Sequence, residues 1–370
     1  MGIRTTAAVL WESGKPLSVE EAELAPPGPN EVLVEVRAAG VCHSDLHPAR
    51  GDWPIRTPVV LGHEGAGVVL EVGTDVTRTK AGDHVVFCWA PPCGACPSCA
   101  AGREVLCDRL DRTSFRNKLP SGATRLRVRG QDVAHFLGTA CFAQHAVLDQ
   151  SGAVVVDRTT PFEALATLGC AVVTGVGAVT TAARVPAGAS VAVIGAGGVG
   201  LNVVQGAVIS GAGKIVALDR TAPPLAFARQ FGATDTVEAA SNLAEAIRDS
   251  TGGGADFVFD TVGTPETLAA ALSGARKGGA VVITGLSRLD AVASLPMFPF
   301  VMQDKRVIGS VYGSGSPTAD IARLAAWYNE GRLKLNELVS RTYALHEVNA
   351  ALDALASAQG ARGVILPGKA

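Results

Sequence analysis

The run Gly195-Ala-Gly197-Gly198-Val199-Gly200 constrains the fold more than any other stretch of the chain. It reads G-x-G-x-x-G, follows the apolar run Ser190-Val-Ala-Val-Ile194 and opens an Ala/Val-rich helical segment. The next apolar run, Lys214-Ile-Val-Ala-Leu218, ends in Asp219, about twenty residues beyond the loop. Each position has a physical task. Gly195 permits the tight turn, Gly197 lets the backbone approach a pyrophosphate, and Gly200 lets helix pack on strand. Gly198 and Val199 lie at the helix N-terminus, where amides and dipole favour an anion. Asp219 meets the adenosine ribose hydroxyls and repels a 2′-phosphate, so NAD is expected over NADP. Arg220 follows directly and is either a surface arginine or an acceptor for that phosphate.

Further strand candidates are Asp256-Phe-Val-Phe259, Ala280-Val-Val-Ile283 and Arg306-Val-Ile-Gly309, each separated from the next by helical-length sequence. Continuous apolar strands alternating with helices predict an α/β fold with a doubly wound parallel sheet covered on both faces. The first third is different. Alternation in Glu31-Val-Leu-Val-Glu-Val-Arg37, and the runs Gly67-Val-Val-Leu-Glu-Val72 and His84-Val-Val-Phe87, predict short strands in a barrel-like β domain. Residues 112–136, polar and arginine-bearing among Gly and Pro, read as a long surface excursion. The tail offers two amphipathic helices, 318–330 and 345–358, and the strand-like Val364-Ile-Leu366.

Composition excludes several classes. A chain of 370 residues holds two domains, at about 150 residues each. Hydrophobic residues at 48% against 18% charged supply packed cores and rule out disorder. A formal charge of −2 gives no field for nucleic acid or anionic lipid. No apolar run is read as reaching the roughly 18 residues of a membrane span, and the N-terminal apolar stretch is too short for a signal peptide. The expectation is a soluble, cytoplasmic protein.

Four of the eight cysteines crowd into Cys93-Gly-Ala-Cys96-Pro-Ser-Cys99 and Cys107, a C-x2-C-x2-C-x7-C pattern. Two-residue gaps turn successive thiolates onto one ion, and four thiolates close a tetrahedral shell. With no position left for substrate, that zinc is structural. Iron–sulfur clusters also use closely spaced cysteines, but at other spacings.

A second constellation is dispersed: Cys42-His43-Ser44-Asp45-Leu46-His47, then Gly62-His63-Glu64-Gly65, then Cys170 among Ala, Val and Gly. Taken singly, Cys170 reads as a small core hydrophobe and His63-Glu64 as a salt-bridged turn. Together, two thiolates and one imidazole are the three protein ligands of a catalytic zinc whose fourth position is open. An alcohol bound at such an ion is acidified, and its carbon can then release hydride.

On these residues the chain resembles the zinc alcohol dehydrogenases of the medium-chain dehydrogenase/reductase superfamily, from about Ala7 to Leu366. The resemblance implies a GroES-like catalytic domain, 1–171 and 312–370, carrying the 93–107 zinc lobe, around a Rossmann domain at 172–311. It implies an active site in the cleft between them and a homodimer pairing the Rossmann domains. It assigns Cys42, His63 and Cys170 to catalytic zinc, and Glu64 to a carboxylate that approaches the metal during exchange. Ser44 and His47 match the proton relay, and Asp45 the partner of the zinc histidine. Apart from the resemblance, Ser44 reads as a turn or helix cap and His47 as a surface histidine. The resemblance also places His43 and Arg362 at pyrophosphate and Thr174 and Val199 at nicotinamide. Trp89, Phe142, Leu286 and Val311 match the lining of the alcohol channel. All four are apolar, which implies a hydrophobic primary, allylic or aromatic alcohol.

Two variants of this reading stand beside it. Leu201-Asn-Val-Val-Gln-Gly206 and Lys334-Leu-Asn-Glu-Leu-Val339 look like nicotinoprotein alcohol dehydrogenases, which keep NAD bound. The 112–136 segment resembles thiol-adduct formaldehyde dehydrogenases, yet Asp111 replaces that class's anion-binding arginine and His47 is present. A C=C or iminium reductase predicts loss of Ser44 or His47, and a non-catalytic binding protein predicts damaged ligands. Neither is seen.

Overall fold

A computed structural model describes residues 2–369, which fall into two compact units. One is Ala171–Gly315; the other joins the chain up to Cys170 to the chain from Ser316 onward.

In the Ala171–Gly315 unit, six parallel strands lie in the order Asp235–Glu238, Lys214–Asp219, Ser190–Ile194, Ala255–Asp260, Ala275–Ile283, Arg306–Gly309. Numbered along the chain this is 3-2-1-4-5-6, the doubly wound order of dinucleotide-binding sheets. Consecutive side chains of the central strand, Val191, Ala192 and Val193, are all fully buried, because helices cover both faces. The stretch just after residue 311 stays with this unit, beyond the expected boundary. A side-chain carbon on Gly177 would collide with the Gly313 backbone, and one on Gly313 with the Val173 carbonyl oxygen.

The other unit is β-rich. Ile3–Leu10, Ser18–Leu24, Leu126–Val128, Gln131–His135 and Val59–Val60 close a barrel. A second sheet runs Ala153–Val156, His84–Phe87, Glu64–Val72, Glu31–Gly40, Arg362–Leu366, Val339–Ala344, with His145–Asp149 on Glu31–Gly40. The C-terminal strand thus pairs with an N-terminal one, which makes the unit discontinuous in sequence.

Two expectations are corrected. Residues 112–136 are not a surface excursion. Leu126–Val128 and Gln131–His135 form an antiparallel pair that completes the barrel, and Leu119, Leu126, Val128 and Val133 are buried. The arginines at 125, 127 and 129 alternate with these apolar residues along the first strand, so polarity masked the strand's period of two. In addition, the helix Phe162–Ala183 is long and apolar enough to cross a bilayer, contrary to the sequence reading. Its most apolar window is 89% buried inside the protein, as in a core helix. The tail helices are slightly shorter than expected, Pro317–Asn329 and Val348–Ala356.

Candidate active site

Cys42 precedes the short helix His43–Arg50 in extended conformation, His63 lies immediately before strand Glu64–Val72, and Cys170 sits in a π-turn, Leu168–Val172. The fold brings one ligand atom from each of Cys42, His63, Glu64 and Cys170 within 4.8 Å of the others, all buried. An extra residue in a helical turn re-aims a side chain, which is how a helix-borne cysteine reaches this cluster.

Asp45, fully buried, organises the group. One carboxylate oxygen accepts the Cys42 N–H (3.1 Å); the other accepts the Gly62 N–H (3.0 Å) and the His63 Nδ1–H (2.9 Å). A carboxylate only accepts, so Nδ1 carries a ring proton, and in the neutral imidazole that ligates metal Nε2 carries the lone pair. Among the described residues, that Nε2 is buried without a hydrogen-bond partner. An orphaned imidazole nitrogen beside two thiols suits a divalent ion that prefers N and S donors, and zinc is the usual one. The Cys170 thiol holds that of Cys42 well below the ordinary thiol range, against the opposing effect of burial. Thus one sulfur of the pair is already predisposed to the thiolate form that ligates metal.

Glu64 forms a buried ion pair with Arg362 (3.0 Å), which also donates to the Val41 carbonyl (3.0 Å). Burial pushes the Glu64 carboxyl up to about 8 against the pull of that guanidinium. Arg362, the residue expected at pyrophosphate, thus contacts Glu64, a member of this candidate cluster. His43 is exposed on the same helix as Ser44, whose hydroxyl lies 3.9 Å from the Cys42 sulfur.

Cys93, Cys96, Cys99 and Cys107 also converge within 4.8 Å. Backbone amides of Ala95 and Cys96 donate to the Cys93 sulfur (3.4 and 3.3 Å), and that of Cys93 to the Cys107 sulfur (3.3 Å). Those Ala95 and Cys96 N–H groups bring the Cys93 thiol down to about 6. Four sulfurs, with no other ligand among the described residues, make a closed site.

In the Ala171–Gly315 unit, Gly195 takes φ +92°, and a Cβ on Gly200 would overlap the Gly195 carbonyl oxygen, so both positions require glycine. Gly197 caps the helix Gly198–Ile209, and the space beside its α-carbon is open, as a pyrophosphate requires. Asp219 closes the loop by accepting the Ala196 N–H (2.9 Å). Arg220 is exposed, Val199 half-buried and Thr174 buried.

The expected channel residues divide between the units. Trp89 and Phe142 are buried in the β-rich unit, Phe142 completely, whereas Leu286 and Val311 are exposed on the other. Sequence reading missed the support behind His63. The Phe136 ring meets its imidazole edge-on at 5.8 Å, and the Thr139 hydroxyl donates to the Gly62 carbonyl (2.9 Å). Both belong to the stretch after 135, and no local motif announces them.

Comparison with known proteins agrees with this geometry. Residues 28–195 match the alcohol dehydrogenase GroES-like domain, and residues 198–330 the zinc-binding dehydrogenase family. The chain is 41% identical to putative alcohol dehydrogenase D of Mycobacterium tuberculosis, over 98% of this chain and all of that one. It is 40% identical to the NDMA-dependent alcohol dehydrogenase of Amycolatopsis methanolica, over 98% and 99%. Among solved structures, benzyl alcohol dehydrogenase of Acinetobacter calcoaceticus superposes with a TM-score of 0.93 at 31% identity, covering 98% and 99%.

Proposed function

The chain belongs to the zinc-dependent alcohol dehydrogenases of the medium-chain dehydrogenase/reductase superfamily, and from that premise we propose that it interconverts a hydrophobic primary, allylic or aromatic alcohol and its aldehyde with NAD. The observation that carries the reading is the buried, unpartnered Nε2 of His63 facing the Cys42 and Cys170 thiols, the open three-ligand arrangement of a catalytic zinc. When bound, Zn²⁺ at Cys42, His63 and Cys170 supplies Lewis acidity toward a hydroxyl, and NAD supplies the hydride acceptor.

The chain's own groups do the rest. Asp45 fixes the His63 ring and tautomer and ties the Cys42 backbone to the Gly62 loop. Ser44 accepts the alcohol proton at its hydroxyl and His47 carries it toward solvent. Asp219 receives the ribose, Gly197 leaves room for pyrophosphate, and Thr174 and Val199 lie toward the nicotinamide. The four-cysteine lobe holds a second, structural zinc. Apolar Trp89 favours a hydrophobic substrate, and the benzyl alcohol dehydrogenase neighbour supports an aromatic one. Eight free thiols, six of them in the two candidate metal clusters, suit the reducing cytoplasm.

Two copies associate through the Ala171–Gly315 unit in this reading. Its edge strand Arg306–Gly309 has one open ladder, and Leu289, Val292, Phe298 and Met302 nearby in sequence are exposed.

A second reading is supported by the Amycolatopsis relative: NAD stays bound and is regenerated in place. One experiment tests both. Protein purified without added nucleotide is assayed for zinc, for nucleotide released on denaturation, and for NADH formation with benzyl alcohol, short alkanols and geraniol. Two zincs per chain, no released nucleotide and accumulating NADH support the ordinary dehydrogenase. Two zincs with stoichiometric NAD(H), and aldehyde formed only with an artificial acceptor, support the retained cofactor. Turnover by a zinc-free Cys42→Ala variant would refute the mechanism.

A further inference from the structure

The helix that carries Ser44 and His47 ends at Gly51, whose φ of +83° turns the chain back over the last turn. The next amide, that of Asp52, donates to the His47 carbonyl at 2.9 Å, an end-of-helix hydrogen bond. The same turn brings the Asp52 carboxylate to 3.2 Å from His47 Nδ1. One residue on, the Trp53 indole stacks on the imidazole with centroids 4.5 Å apart and planes 24° apart. The ring is thereby held on two sides by residues of its own helix end. The contact is partly shielded, with the His47 side chain 20% exposed and that of Asp52 34%.

We propose that Asp52 is a positioning residue of the proton relay, holding His47 with its ring proton on Nδ1 so that Nε2 is the atom that takes the relayed proton. This rests on the reading of Ser44 and His47 as the relay. The carboxylate is an acceptor, so Nδ1 must donate to it, and the lone pair is left on Nε2. The alcohol proton arriving at Nε2 makes an imidazolium, which the Asp52 charge stabilises. Nε2 then releases the proton to water, so each alcohol oxidised delivers one proton to solvent. Trp53 fixes the plane of the ring, and the Asp52 carboxylate selects the flip that turns Nδ1 toward it. A carboxylate behind a proton-accepting imidazole acts in the same way in hydrolytic triads. Here the pair is partly exposed, so its effect is a fraction of the roughly 10²–10⁴-fold that a general base supplies.

The test compares Asp52→Asn, His47→Gln and the double variant as zinc-loaded holoenzymes. Single-turnover oxidation of benzyl alcohol is followed at saturating NAD, alongside 15N NMR of histidine-labelled protein. Asp52→Asn keeps the backbone cap, so the fold is retained, which a matching thermal melt verifies. The expected result is an about tenfold slower turnover with unchanged KM and zinc content. The His47 resonances should lose their Nδ1–H, bare-Nε2 pattern, and Asp52→Asn should have no further effect in the His47→Gln background. A wild-type rate with an unchanged tautomer in Asp52→Asn overturns the inference. So does an undiminished loss in the His47→Gln background, since Asp52 would then act elsewhere. His47→Gln at full rate instead refutes the relay reading on which the inference stands.

Discussion

Replacing Asp45 by asparagine tests how the metal ligands are held, because the substitution keeps shape and removes only charge and one acceptor. The carboxylate accepts three hydrogen bonds at 2.9–3.1 Å in a fully buried setting. If the amide oxygen keeps Gly62 and His63, those two bonds lose their charge assistance, at about 1 kcal/mol each. The amide nitrogen then faces the Cys42 N–H, donor against donor, and a buried amide goes unpaired at a further cost of about 1–3 kcal/mol. Turned the other way, the amide donates to His63 Nδ1 and forces the ring proton onto Nε2, the atom that faces the thiols. Either orientation damages the ligand set. The total is about 3–5 kcal/mol, shared between folding and metal binding. The metal share follows the ten- to hundredfold loss of affinity typical for such partners, or about 1.4–2.7 kcal/mol. The assay is chelator titration with a metallochromic indicator. Of the two zincs proposed per chain, the one assigned to Cys42, His63 and Cys170 should leave Asp45→Asn at a ten- to hundredfold lower chelator concentration, while the one assigned to the 93–107 lobe leaves as in the wild type. Two zincs released at wild-type concentrations would refute the role given to Asp45.

Two further outcomes follow from other parts of the fold. His135 is buried with Nε2 accepting the Arg125 N–H (3.1 Å), and burial pushes it from 6.5 down to about 4. The unfolded chain therefore binds the proton first, and stability is lost as pH falls from about 6.5 toward 4. At 1.36 kcal/mol per pH unit the loss reaches about 3 kcal/mol. Denaturant midpoints at pH 8 and pH 5 should converge in His135→Gln, and an unchanged pH dependence there would show that other groups carry it. Gly200→Ala drives a methyl into the Gly195 carbonyl and displaces the loop. NADH binding, read by fluorescence titration, should weaken at least tenfold with zinc content intact, and unchanged affinity would exclude this loop as the cofactor site.

Some of this was legible because it is local. The glycine loop, its flanking strand and helix, and Asp219 lie within one βαβ unit, and the four cysteines of the lobe within fifteen residues, so spacing alone specifies their chemistry. Residues 112–136 were misread because solvent-facing arginines obscure a strand whose other face is buried in the barrel. The apolar length of Phe162–Ala183 is hidden in sequence by Gly169, Gly175 and Gly177, which in the fold permit close approach of neighbouring backbone. By itself, then, the sequence determined a parallel sheet entered by a glycine loop, the crowding of four thiols into one lobe, and the candidate ligand types Cys42, His63 and Cys170. Only the tertiary structure decided which atoms meet: His63 Nε2 with the two thiols, Asp45 on both ligand loops, Arg362 on Glu64, Asp52 behind His47. The reason is that such contacts depend on strand pairing, a helix cap and a π-turn that join residues distant in sequence or turn the chain back on itself. Side-chain spacing records none of these.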